Sequence, residues 1–201
     1  MDAVPQSLRQ NQTTMWLFPG AHIVHYPVAS SCELALVAIV NDTHDDKEWS
    51  APIPANWVQQ HVPPCAQPLT DLIEAAQSWK RWTLHTLPVA RTWSRGPVAL
   101  LGDAAHPVLP FLAQGGVLAL EDAAVLADAL HRFETDVPAA LTWYGRQRRG
   151  RAASVAAASR HNGRIYHLSG PLAQARNLAL RSISSQRLMA RYDWLYGWRP
   201  D

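Results

Sequence analysis

The sequence predicts a mixed α/β chain, with strands in its first half and helices in its second. Three observations carry this. Residues 33–40 (ELALVAIV) form an apolar run of strand length, stopped by Asn41-Asp42. Gly115-Gly116 opens a helical pattern over 116–131. After Pro138 the chain is rich in Ala and Arg to residue 160, a composition that favours helix.

Taken in order, residues 22–28 (HIVHYPV) read as a strand, with Pro27 arguing for an edge or a strand end. The 33–40 strand follows, then a polar, acidic loop over 41–50. Short helices are expected over 55–61 and 69–78, the second starting near Pro68 or Thr70. Residues 82–90 (WTLHTLPVA) read as another strand, and 97–101 (PVALL) as a short buried one ending in Gly102-Asp103. A proline-rich loop runs from Pro107 to Pro110. In the 116–131 helix, Glu121, Asp122 and Asp128 share a narrow face and the rest is Val, Leu and Ala, so its apolar faces should be buried. Another helix is expected over 171–181. Tyr192, Trp194, Tyr196 and Trp198 suggest a tail docked by aromatic rings.

The chain has 201 residues, 48% hydrophobic and 17% charged, enough for one domain or slightly more and for a real core. A net charge of +2 selects no partner. Two cysteines, Cys32 and Cys65, make neither a disulfide framework nor a C-x-x-C pair. Met1 to Gln12 lacks the apolar core of a signal peptide, and no apolar stretch approaches the ~18 residues of a membrane span. A cytoplasmic protein is expected. Charge is uneven: eleven arginines lie between Arg146 and Arg199, with Asp193 the one acid in that stretch.

No two glycines are spaced as G-x-G, so a dinucleotide-binding first turn is missing, and there is no Walker loop or G-x-S-x-G elbow. His22 and His25 have no carboxylate or thiol nearby in sequence, so no metal site is expected.

Residues 98–131 read as strand, tight turn, loop, glycine pair and helix. Asp103 at a strand's carboxyl end stands where α/β folds place ligands, and its carboxylate can accept hydrogen bonds from a polyol. Gly115 and Gly116 would let a flat ring approach the backbone, and the helix behind them would stabilise negative charge developing on it. A flavin fits this description. So does a plain turn followed by a helix entrance, and the residues alone leave both readings open.

Residues 102–124, GDAAHPVLPFLAQGGVLALEDAA, closely resemble the second flavin-binding motif of class A FAD-dependent aromatic hydroxylases, the group of 3-hydroxybenzoate 6-hydroxylase and salicylate hydroxylase. Residues 16–28 (WLFPGAHIVHYPV) resemble a strand of that family's substrate domain. Residues 154–168 and 191–199 resemble its C-terminal helices and tail. The resemblance runs from about residue 15 onward.

It implies a partial flavin-hydroxylase fold: 1–90 the remnant of a substrate-binding sheet domain, 91–135 the C-terminal part of the FAD-binding domain, and 136–201 a helical region. It implies that Gly102 is among the cofactor-binding residues, that Asp103 hydrogen-bonds the ribityl chain of FAD, that Pro110 lies beside the flavin ring, and that Gly115 and Gly116 offer amides to its pyrimidine edge. Gln114 would reach the substrate, and His22 and Tyr26, four residues apart, would contact its phenol. These types suit the chemistry. A phenol attacks an electrophilic oxygen better as phenolate, a histidine can take its proton, and tyrosine and glutamine can orient ring substituents. His106 would help shape the flavin loop; His25 receives no proton-transfer role. Implied partners are NAD(P)H as transient electron donor, O2 and a small aromatic acid.

The family's first half, with its G-x-G-x-x-G turn and the acid that holds the adenosine ribose, has no counterpart here. The chain is therefore expected to be the C-terminal half of such an enzyme, through truncation, a mis-called start codon or a split gene; it should hold FAD poorly and not turn over alone, with an N-terminal half or a full-length homologue as candidate partner. Two other readings compete: a degenerate paralogue assembling with a full-length partner, or a non-catalytic basic helical module built on Arg146, Arg148, Arg149 and Arg151. Against the latter, helical spacing spreads these arginines and no aromatic residues interleave them for nucleic-acid stacking, so a solvated or subunit-contacting arginine face is expected.

Overall fold

The computed structural model describes residues 4–42 and 50–200, the side chain of Ser31 excepted. For 43–49, the acidic loop expected over 41–50 lies outside the described residues. Contacts group the chain into two units, Met1–Thr83 with Arg164–Leu180, and Leu84–Gly163 with Arg181–Asp201.

The first unit is built on an antiparallel sheet of β1 (Thr14–Phe18), β2 (Ala21–Val28) and β3 (Glu33–Val40), in that order. The β1–β2 turn closes through Gly20 at φ +71°, a left-handed conformation that glycine adopts without strain. β2 is the central strand and pairs on both sides, so Pro27 marks its end rather than a sheet edge. Strand alternation sends Ile23 to a core with Val58, Val62, Leu69, Leu72 and Ile73, while His22 and Tyr26 share the opposite face. That core is supplied by α1 (Trp57–His61) and α2 (Gln67–Ala75), which begins at Gln67-Pro68, as the proline suggests. β4 (Ala51–Ile53) pairs with β5 (Trp79–Arg81).

Residues 82–90, expected as a strand, form none. The extended pairing stops at Arg81, Pro88 has no N–H to contribute to a ladder, and Trp82, Leu84 and Leu87 are exposed.

The second unit opens with a two-residue ribbon, β6 (Ser94–Arg95) with β7 (Val98–Ala99). The buried strand expected over 97–101 is thus reduced, and Val98, Leu100 and Leu101 are exposed. Then come α3 (Gly115–Phe133) and α4 (Val137–Tyr166), whose last turn belongs to the first unit. α4 runs six residues beyond the expected end at 160. Trp93, Ala105, Ala129, Ala140, Tyr144 and Ala152 form one core cluster, and Leu112, Leu118, Val155 and Leu195 another. Gly145 is needed here: a Cβ on it would lie 3.1 Å from that of Trp93. α5 (Gly170–Ser182), α6 (Ser185–Ala190) and α7 (Asp193–Tyr196) complete the chain. Among the described residues no helix is long and apolar enough to cross a membrane.

Leu118 and Ala129 of α3 are buried as expected, but part of its apolar surface is not. Two of its three acids, Glu121 and Asp122, are buried, whereas Asp128 pairs with Arg132 at the surface and Val117 is 44% and Leu120 73% exposed. The cause is two arginines on α4 that draw the two buried acids in.

Candidate functional site

Asp122 is the hub of the second unit. One carboxylate oxygen accepts the Gly102 amide at 3.1 Å and His106 Nε2 at 2.5 Å, and the other accepts Arg148 Nε at 2.7 Å. Burial alone would raise the Asp122 carboxyl, but the hydrogen bonds from His106, Arg148 and the Gly102 amide outweigh it and hold the group below the usual carboxylate range. Beside it, Glu121 accepts from Arg148 at 2.6 Å and from both Nε and Nη2 of Arg151, at 3.0 and 2.6 Å. Arg151 also donates to the carbonyls of Trp194 and Leu195, and the guanidinium of Arg148 lies 5.0 Å from the Trp198 ring. The aromatic tail is thus docked through cations as well as through its own rings.

This arrangement corrects the reading of the arginine run. Arg148 and Arg151 are not a solvated face but the partners of two buried acids, and Arg149 donates to the Arg91 carbonyl at 2.8 Å. Two of the four arginines of the basic-module alternative are thereby taken up by buried acids, while Arg146 and Arg149 stay exposed. Both Glu121-Asp122 and Arg148/Arg151 are visible in the sequence; an acid pair on one helix facing an i, i+3 arginine pair on the next is the signal that was available.

The network supports the Gly102 turn. Gly102 has φ +59°, and a Cβ there would press on that of Ala119 at 3.3 Å, so the turn sits tight against α3. Asp103 follows, exposed, with its carboxylate at the start of α3: a Cβ built on Gly115 would lie 4.0 Å from Asp103 Oδ1. The loop before α3 is fixed by Ser159, which donates to the Leu109 carbonyl at 2.7 Å, and by Phe111, whose ring occupies the space a side chain at Gly163 would need. Pro110, exposed, begins the short turn Pro110–Leu112. Ala113 then takes φ +52°, an uncommon conformation for alanine that turns the backbone into the helix.

At the helix start no side chain caps the amides and no acid occupies the first turn. The first N–H groups of a helix lack intrahelical partners, and here they carry the positive end of a 19-residue dipole. Nothing lies within 4 Å of a Cβ built on Gly116. Gln114, 3% exposed, has its Oε1 buried without a hydrogen-bond partner among the described residues. Asp103, Gly115 and Gly116 therefore come together as a carboxylate and uncapped backbone N–H groups next to the open space at Gly116, with the Gly102 turn packed on α3 and the buried Gln114 oxygen immediately before the helix. Exposed Val117 and Leu120 continue α3 from there.

Residues 3–159 match the FAD-binding domain family. The chain belongs to that family. It is 34% identical over 195 residues to 3-hydroxybenzoate 6-hydroxylase of Polaromonas naphthalenivorans, an alignment covering 96% of this chain and 48% of that protein. It is 33% identical to 3-hydroxybenzoate 6-hydroxylase 2 of Aquipseudomonas alcaligenes, over all of this chain and 62% of that one. Its fold matches a salicylate hydroxylase substrate complex with a TM-score of 0.81 at 28% identity, covering 98% of this chain and 49% of that structure. The chain thus spans between about half and three fifths of the length of these curated relatives. The arrangement at the start of α3 suits a flavin: the uncapped amides match an electron-rich ring edge, and Asp103 matches a polyol chain.

In the first unit, His22 is 1% exposed on β2. Its Nδ1 lies 2.7 Å from His167 Nε2, and the Tyr166 ring stands edge-on to it at 5.2 Å. Burial, reinforced by His167, lowers the His22 pKa to about 4. Tyr26 is exposed on the same face, four residues and roughly 13 Å along the strand. His25, on the other face, accepts from Trp16 Nε1 at 3.1 Å. No sequence signal pointed to His167, 145 residues from His22.

Proposed function

We propose that this chain is the flavin-ring and substrate part of an FAD-dependent monooxygenase that hydroxylates a small phenolic or benzoic acid with NAD(P)H and O2. The supporting observation is the start of α3, where the Asp103 carboxylate lies beside Gly115 and the uncapped Gly115 and Gly116 amides in a chain of the FAD-binding domain family. Reduced FAD, when bound, supplies the activated oxygen. The residues do the rest. Asp103 accepts hydroxyls of the ribityl chain, Gly102 lets it approach, and Pro110 flanks the ring. The Gly115 and Gly116 amides stabilise negative charge on the pyrimidine edge. In the first unit, His22, uncharged at neutral pH, accepts the phenolic proton and Tyr26 hydrogen-bonds the ring; in the second, Gln114 orients a substituent. The relatives' printed names favour a hydroxybenzoate.

The same reading assigns residues 1–90 to a substrate-binding sheet, 91–135 to the flavin-binding region, 136–201 to the helical region, and the protein to the cytoplasm. The adenosine end of FAD is assigned to residues outside this chain, either an N-terminal half or a full-length homologue. Exposed Val98, Leu100, Leu101, Val117 and Leu120 are where such a partner would cover the second unit. The test is to purify the chain and record its flavin spectrum with and without FAD and 3-hydroxybenzoate. Weak binding with a perturbed flavin band and no turnover supports the reading. Stoichiometric FAD retained through purification contradicts the assignment of the adenosine site elsewhere, and an unperturbed band at saturating FAD contradicts the site.

A further inference from the structure

The histidine pair in the first unit carries a direction. Asn41 Oδ1, which can only accept, lies 3.0 Å from His167 Nδ1, so that nitrogen must carry a proton. In neutral His167 the other nitrogen, Nε2, is then an acceptor. It lies 2.7 Å from His22 Nδ1, so His22 carries its proton on Nδ1 and its lone pair on Nε2. The backbone fixes this order. The Gly20 amide donates to the His167 carbonyl at 3.2 Å, and the Asn41 amide donates to the Gly20 carbonyl at 2.8 Å. Both ends of the chain are thus tied to the turn that begins β2. Among the described contacts, two titratable rings lie against His22, those of His167 and Tyr166. His22 is buried, whereas His167 is half-buried and can be hydrated.

We propose that His167, oriented by Asn41, is a positioning residue that holds His22 in the tautomer with a basic Nε2 and takes up the charge when His22 accepts a proton. This deepens the proposed function, since it rests on His22 as the base. The proton balance is simple. The phenolic O–H bond breaks as a proton joins His22 Nε2. The His22 Nδ1–H bond breaks and a bond forms at His167 Nε2. His22 ends neutral in its other tautomer, and the positive charge sits on His167, nearer water, to which a proton is then released. Burial lowers both histidines, and His22 further by its neighbour, so the resting pair is uncharged at neutral pH.

The test is long-range proton–nitrogen NMR on the full chain labelled at histidine. At pH 7 His22 and His167 should both show the Nδ1–H form, and on acidification His167 should protonate before His22. His167→Phe should abolish the preference at His22, bringing in the Nε2–H form. His167→Gln, whose Oε1 can accept from Nδ1, should retain it. Should His167→Phe fail to fold, Asn41→Leu frees the tautomer of His167 and should mix the forms at His22. An Nε2–H form at His22 in the native chain, an unchanged tautomer in both His167→Phe and Asn41→Leu, or protonation of His22 first would each overturn the proposal. The native tautomer pattern in a chain that binds no 3-hydroxybenzoate would support this pairing and contradict the proposed function.

Discussion

Arg148 donates to Asp122 at 2.7 Å with both side chains almost fully buried, and the far oxygen of the same carboxylate grips the amide of Gly102. One ion pair therefore reaches from α4 through α3 to the turn that presents Asp103. A buried pair of this kind contributes modestly as a pair but is costly to halve, because the remaining charge is stranded out of water. Arg148→Met should destabilise the chain by about 3–5 kcal/mol, read from urea denaturation. A change below about 1 kcal/mol would show that solvent already reaches the pair.

Two glycines should part company. Gly102→Ala forces a side chain into a left-handed conformation and against Ala119, and should cost about 1–3 kcal/mol in the same denaturation experiment. Gly116→Ala meets nothing and improves helix propensity, so stability should hold or rise by up to about 1 kcal/mol. Its methyl would enter the space assigned to the flavin, and FAD affinity should fall on the order of tenfold.

Acid stability should depend on His22. Its pKa falls from 6.5 to about 4 on folding, so the unfolded chain binds the extra proton more readily. The contribution is fully present above pH 6.5 and is lost as pH falls towards 4, amounting to up to about 3 kcal/mol. His22→Phe should flatten that limb of the stability–pH curve. An equally steep limb in the variant would place the effect elsewhere.

Asp103→Asn keeps the shape of the turn and removes the charge of the proposed polyol acceptor. Because Asp103 is exposed and outside the Asp122 network, stability should change by less than about 0.5 kcal/mol while FAD binding weakens. Calorimetric titration of wild type and variant checks both halves of the statement; equal affinities would remove Asp103 from the site.

Much of this was legible in the sequence because local chemistry decided it. The 33–40 run, Gly115-Gly116 and Pro68 each placed an element near its observed position, and the ordered motif over 102–124 pointed to the family. Three things were not legible. Residues 82–90 carry a strand-like composition, but composition does not supply a neighbouring strand. The inward turn of Glu121 and Asp122 on α3 depends on arginines 26 to 30 residues away on another helix. The link from His22 to His167 spans 145 residues and leaves no periodic trace.

The central claim is that backbone amides after Gln114 receive the flavin ring, and amide NMR during titration with riboflavin tests it most directly because weak binding suffices. The Gly115 and Gly116 signals should move most, together with Asp103, and adenosine monophosphate should neither shift these signals nor compete. Saturating riboflavin that leaves those two amides in place while shifting others would contradict it.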